Sequence, residues 1–130
     1  MSGCSCEIDD IDDYGECDSI IIYERMRTAK KEHRCGECSE VISPGDKYEY
    51  VAGKCDGDFF TAKTCKPCVQ IRNAFFCTWI YGRVMEAFEE YLREVDGQVS
   101  SECILMLGPE AREIAFEMIE EVWADIDDDE

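Results

Sequence analysis

A chain of 130 residues suffices for one compact domain or a small metal module with an appendage. Its 45% hydrophobic and 11% aromatic residues exclude wholesale disorder despite 34% charged residues. The net charge of −18, from 31 acidic against 13 basic residues, disfavours nucleic acid and anionic membrane as partners, because binding phosphate takes Lys and Arg.

The charge falls into three zones. Residues 1–24 hold eight carboxylates and no Lys or Arg. Residues 25–73 hold ten basic and seven acidic residues, and residues 74–130 hold three basic and sixteen acidic ones. The first zone has no sustained apolar period before Ile20, Ile21 and Ile22 and reads as an acidic arm containing Cys4, Cys6 and Cys17. No run approaches the roughly 18 apolar residues of a membrane span. The start, Met1-Ser2-Gly3-Cys4, lacks the stretches of a secretory signal. The expected location is therefore cytoplasmic, where closely paired cysteines are metal ligands or catalytic groups more often than disulfides.

From Arg25 the chain turns basic and enters His33-Arg34-Cys35-Gly36-Glu37-Cys38. Ser43-Pro44-Gly45-Asp46 is a turn signature. Tyr48, Tyr50 and Ala52 alternate as on a half-buried strand, and a loop at Gly53 to Asp58 leads to a second strand over Phe59 to Thr64, which predicts a hairpin. Cys65-Lys66-Pro67-Cys68 then opens a helix, with Pro67 suited to the first turn. A second helix carries Val84, Phe88, Tyr91, Leu92 and Val95 and stops at Gly97. After a link containing Cys103 and Gly108, Pro109 starts a last helix with an apolar stripe of Ile114, Ala115, Met118, Ile119, Val122 and Trp123.

Ten cysteines are many for this length. Two residues between paired cysteines let both sulfurs reach one ion from a tight turn. Here two such pairs occur, Cys35/Cys38 and Cys65/Cys68, with 26 residues and a predicted hairpin between them. They are the expected ligands of one structural Zn²⁺. Knuckle, hairpin and helix is the order of a treble-clef zinc finger, so the expected fold class is α+β: an acidic arm over 1–24, a treble-clef-like zinc module over 25–78 and acidic helices with an acidic tail over 79–130. A second metal site is open to Cys4, Cys6, Cys17, Cys77 and His33. Each cysteine pair also has the form of a thiol redox motif, although that motif belongs to a βαβ setting that this sequence does not supply. His33 is the only histidine, which removes most acid–base and hydrolytic schemes and argues against an enzyme.

The run from Thr28 through Cys77, with Cys35-Gly36-Glu37-Cys38, Pro44-Gly45, Asp56-Gly57, Lys63-Thr64-Cys65, Cys68 and Phe76-Cys77, resembles small cysteine-rich proteins of bacteriophages and prophages. That resemblance implies zinc, a phage origin and the cytoplasm of an infected bacterium; it adds weight to a second site through Cys4, Cys6 and Cys77, and it carries no function. The charge suggests one. Glu110, Glu113, Glu117, Glu120, Glu121, Asp125 and Asp127 can imitate a row of phosphates and dock on a basic host protein, such as a CRISPR-type defence nuclease. The alternative is a nucleic-acid-binding zinc finger using Arg25, Arg27, Lys30, Lys31, Arg34, Lys47 and Lys63. The apolar stripes of the last two long helices also allow a homodimer.

Overall fold

The computed structural model describes residues 8–9, 19–55, 57–79 and 81–128. The fold is mixed α+β. Strands β1 (Ile8–Asp9), β2 (Ser19–Thr28), β3 (His33–Arg34), β4 (Val41–Ile42), β5 (Lys47–Cys55) and β6 (Asp58–Cys65) precede helix α1 (Lys66–Phe75). Strand β7 (Phe76–Thr78) and helices α2 (Val84–Glu94), α3 (Ser101–Leu105) and α4 (Pro109–Asp128) follow.

The predicted hairpin is β5–β6, antiparallel from Tyr48 opposite Cys65 to Cys55 opposite Asp58. It gains a third strand, because β2 runs antiparallel along the whole of β5, with a bulge between Ile21 and Tyr23. The expected end of the arm at residue 24 therefore falls inside a strand. Val51 on β5 is fully buried and Tyr48 and Glu49, on opposite faces, are buried too, while Tyr50 and Ala52 on the face of Tyr48 are only partly covered.

Pro67 sits in the first turn of α1, where no backbone donor is lost. Ile71, Ala74 and Phe75 of α1 join Val84, Phe88 and Leu92 of α2 and Ala111, Ala115, Ile119 and Val122 of α4 in the main apolar core. Strand β1 closes this core by pairing in parallel with β7. Gly97 ends α2 with φ of 73°, its N–H donating to Leu92 O at 2.7 Å. The short helix α3 lies in what reads from sequence as a link, and Ser100 Oγ caps it by accepting from Glu102 N. Trp123, expected in the buried stripe of α4, is half-exposed. No helix is long and apolar enough to cross a membrane.

Candidate metal centre

The four predicted ligands converge. Cys35 and Cys38 come from the loop between β3 and β4, Cys65 ends β6, and Cys68 lies in the first turn of α1. Cys35 and Cys68 are fully buried and the other two half-buried. Their Sγ atoms all lie within 4.8 Å of one another, and this is the only such group among the described residues. Cys35 Sγ is 3.9 Å from Cys68 Sγ, and Cys38 Sγ is 3.6 Å from Cys65 Sγ.

These separations decide what the cluster can be. A disulfide holds its sulfurs about 2.05 Å apart, so none is formed here. A tetrahedral ion with metal–sulfur bonds of about 2.3 Å holds its sulfurs about 3.8 Å apart, which lies between these two distances. Both of these contacts join sulfurs of different pairs, so the end of the hairpin and the start of α1 meet the knuckle at the cluster. Four thiols suit a borderline-soft tetrahedral cation and exclude a Mg²⁺ or Ca²⁺ site, which takes oxygen ligands.

Local backbone prepares the cluster. Ser39 adopts a φ of 66° and its N–H donates to Cys35 O. Gly36 N donates to Lys63 O at 2.7 Å, which ties the knuckle to β6. The N–H groups of Glu37 and Cys65 both donate to Cys35 Sγ at 3.3 Å and so fix where that sulfur points. Cys35 is accordingly held well below the ordinary thiol range by hydrogen bonds from Cys38, Cys65 and Cys68. Cys65 and Cys68 are pushed above that range, in both cases chiefly by Cys35. Cys38, raised by Cys35 but lowered by Cys65 and Cys68, ends below it. Sulfurs this close cannot all ionise alone, whereas a divalent cation lets them.

Two polar contacts connect this centre to the rest of the fold, and neither is visible as a sequence motif. Glu37, between the first two ligands, accepts from Gly82 N at 2.8 Å and Val84 N at 2.9 Å. It places a carboxylate at the N-terminus of α2, where no local side chain caps the helix. Burial pushes its carboxyl upward in spite of those two donors. Arg72 of α1 forms a bidentate pair with Glu49 of β5, both bonds 2.7 Å and both side chains buried, while its guanidinium lies 4.4 Å from the centre of the Trp79 ring.

The other expected site residues divide. Cys4, Cys6 and Cys17 lie outside the described residues. Cys77 is disulfide-bonded, as is buried Cys103, and in that state it offers no thiolate to a second metal. His33 is not a ligand among the described residues: its ring packs on Tyr48 at 5.3 Å. Arg34 braces the knuckle by donating to Ser39 O at 2.8 Å. Glu110, Glu113, Glu117, Glu120, Glu121 and Asp125 are all exposed on α4, with Asp127 in its last turn. Among these, Asp125 pairs with Arg93 at 2.9 Å. In comparisons with protein-family models, with curated proteins and with solved structures, nothing matches this chain.

Proposed function

We propose that this chain is a non-catalytic binding protein stapled by one Zn²⁺, of phage or prophage origin, and that its acidic helical face docks on a basic, nucleic-acid-binding protein of the infected host. The observation that carries the metal reading is the four sulfurs all within 4.8 Å of one another, with 3.6 Å between Cys38 and Cys65 and 3.9 Å between Cys35 and Cys68, as a tetrahedral site requires. Zinc fits a closed tetrathiolate with no open position and no redox role, and it acts there by holding secondary elements together. The order of knuckle, hairpin and helix, with the last two ligands at the helix start, supports a treble-clef-like module.

Support for the docking face comes from α4. Glu110 to Asp125 covers about 22 Å at 1.5 Å per residue. Of its six exposed carboxylates only Asp125 has an ion-pair partner among the described residues. A helix in this state offers unneutralised charge to a cationic groove and speeds encounter at low salt.

Two measurements test the proposal. Native mass spectrometry of protein purified without added metal is expected to show one zinc per chain; the bare polypeptide mass sinks the metal reading. Capture from host lysate is expected to yield a basic protein that is lost with rising salt and lost when Glu113, Glu117 and Glu120 are all changed to Gln. Equal capture by that variant sinks the docking face.

A further inference from the structure

The structure has a second surface of opposite sign. A cavity of about 890 Å³ opens along β2 and the turn after it, lined by Arg25, Arg27, Lys30, Lys31 and Lys63 together with Tyr23, Tyr48 and His33. Five of the chain's 13 basic residues converge there, and no carboxylate lines it, in a protein with 31 acidic residues. Chance mixing of charge at that composition would place acids among them.

Strand geometry produces this segregation. After the bulge at Ile22, the residues Tyr23, Arg25 and Arg27 of β2 alternate onto one face. Register then sets Arg25 opposite Tyr50 and Tyr50 opposite Lys63, a cation, ring and cation in one row across three strands. The neighbouring row is Arg27, Tyr48 and Cys65. Glu49 faces the other side of β5 and is held by Arg72.

Three of the five cations, Arg25, Arg27 and Lys63, lie against rings. The Arg27 guanidinium stands 4.1 Å from the Tyr50 ring centre and 5.4 Å from that of Tyr23, and it donates to Tyr23 Oη at 3.5 Å. Arg25 lies 5.4 Å from Tyr23, and Lys63 5.8 Å from Tyr50. Such contacts fix long side chains in advance and lower the entropy lost on binding.

We propose that this groove binds a short segment of single-stranded nucleic acid, with phosphates on Arg25, Lys30, Lys31 and Lys63 and a base stacked against Tyr23 and the Arg27 guanidinium. Cations interleaved with aromatic rings make the recognition surface of single-strand binders. The volume is that of a site for a small ligand of roughly 300 to 1,000 Å³, hence for a few nucleotides and not a duplex. An acidic peptide would meet the cations but leave the stacking surface unused. This site is separate from the carboxylates of α4, and the net charge of −18 restricts binding to the groove by repelling strand that runs beyond it.

The test uses the full, zinc-loaded chain and a short fluorescein-labelled oligothymidylate, followed by anisotropy across a salt series. Binding is expected at low salt, with log K falling against log salt by roughly 0.7 for each phosphate neutralised. Lys30→Ala with Lys31→Ala, on an exposed turn where folding is unaffected, is expected to weaken binding and to flatten that slope by roughly 1.4, two such contacts. Tyr23→Leu is expected to weaken binding roughly five- to hundredfold, the effect of losing one stacked base. The Glu113, Glu117 and Glu120 to Gln variant is expected to bind at least as well as the parent, which separates this site from the α4 face. No binding at low salt, an unchanged lysine variant, equal affinity for the same sequence as duplex, or equal competition by polyglutamate would each overturn the proposal.

Discussion

The knuckle and hairpin half and the helical half of this chain are held by different forces. Around the cysteines the buried apolar cluster is Ala29, Cys35, Ile42, Tyr48 and Cys68, five residues of which two belong to the four-cysteine cluster. The helical half buries fifteen, including Phe75, Phe88 and Leu92. Each large apolar side chain contributes about 1.5 to 3 kcal/mol when fully buried, so apolar burial holds the second cluster more strongly than the first. In the metal reading proposed above, coordination makes up the difference. Helix α1 belongs to both halves, carrying Cys68 into one cluster and Ile71, Ala74 and Phe75 into the other.

Removing the metal breaks the comparison most strongly. Zinc binding supplies about 10 to 16 kcal/mol of apparent folding energy in small zinc modules. A chelator, or Cys68→Ala, is expected to release β3, β4 and the β5–β6 hairpin while α2 and α4 stay folded. Hydrogen exchange read residue by residue checks this, and protection lost equally in both halves would show that they are one cooperative unit. Because protons compete for the thiolates, metal affinity is also expected to fall as pH falls.

Next in size is the pair that crosses between the halves. Arg72→Ala leaves the Glu49 carboxylate buried without its partner, which costs about 3 to 5 kcal/mol. Changing both, Arg72→Met with Glu49→Leu, is expected to recover most of that loss in denaturant unfolding. A double variant as unstable as the single one would mean that the ring of Trp79, 4.4 Å from the guanidinium, needs the cation. Glu37→Ala is smaller. It leaves the Gly82 and Val84 N–H groups without their acceptor, a cost of about 1 to 3 kcal/mol. Its effect is expected to appear as fraying of the first turn of α2, with zinc content retained.

What the sequence makes legible follows from how local each cause is. The cysteine spacing, Pro67 in the first turn of α1, Gly97 after α2 and Pro109 at the start of α4 act within a few residues, and all four features are present. Strand β2 escapes because Glu24, Arg25 and Arg27 read as solvated charge; only their pairing along β5 makes them a strand, at a sheet edge where charge is tolerated. The Glu37 cap spans 45 and 47 residues and the Glu49–Arg72 pair 23. No periodicity encodes such distances. The basic groove was present in the sequence only as a list of residues, because its shape depends on the bulge at Ile22 and on the register of three strands.

Trp123 supplies the smallest and sharpest test within the helical half. Its indole Nε1 donates to Asp96 O at 3.0 Å, across from the left-handed turn that ends α2. A Cβ on Gly97 would stand 2.5 Å from that nitrogen, and φ there is 73°, so the turn and the ring fix one another. The ring is half-exposed, so its apolar burial is limited, and the bond is a neutral one. Trp123→Phe keeps most of the packing and removes the donor, and is expected to cost about 0.5 to 1.5 kcal/mol. Gly97→Ala adds both backbone strain and a clash, so it is expected to cost more than Trp123→Phe in the same unfolding measurement. In the Trp123→Phe background the clash with the indole nitrogen disappears while the strain in φ remains. The penalty of Gly97→Ala should therefore shrink without vanishing, and full additivity of the two changes would show that ring and turn do not touch.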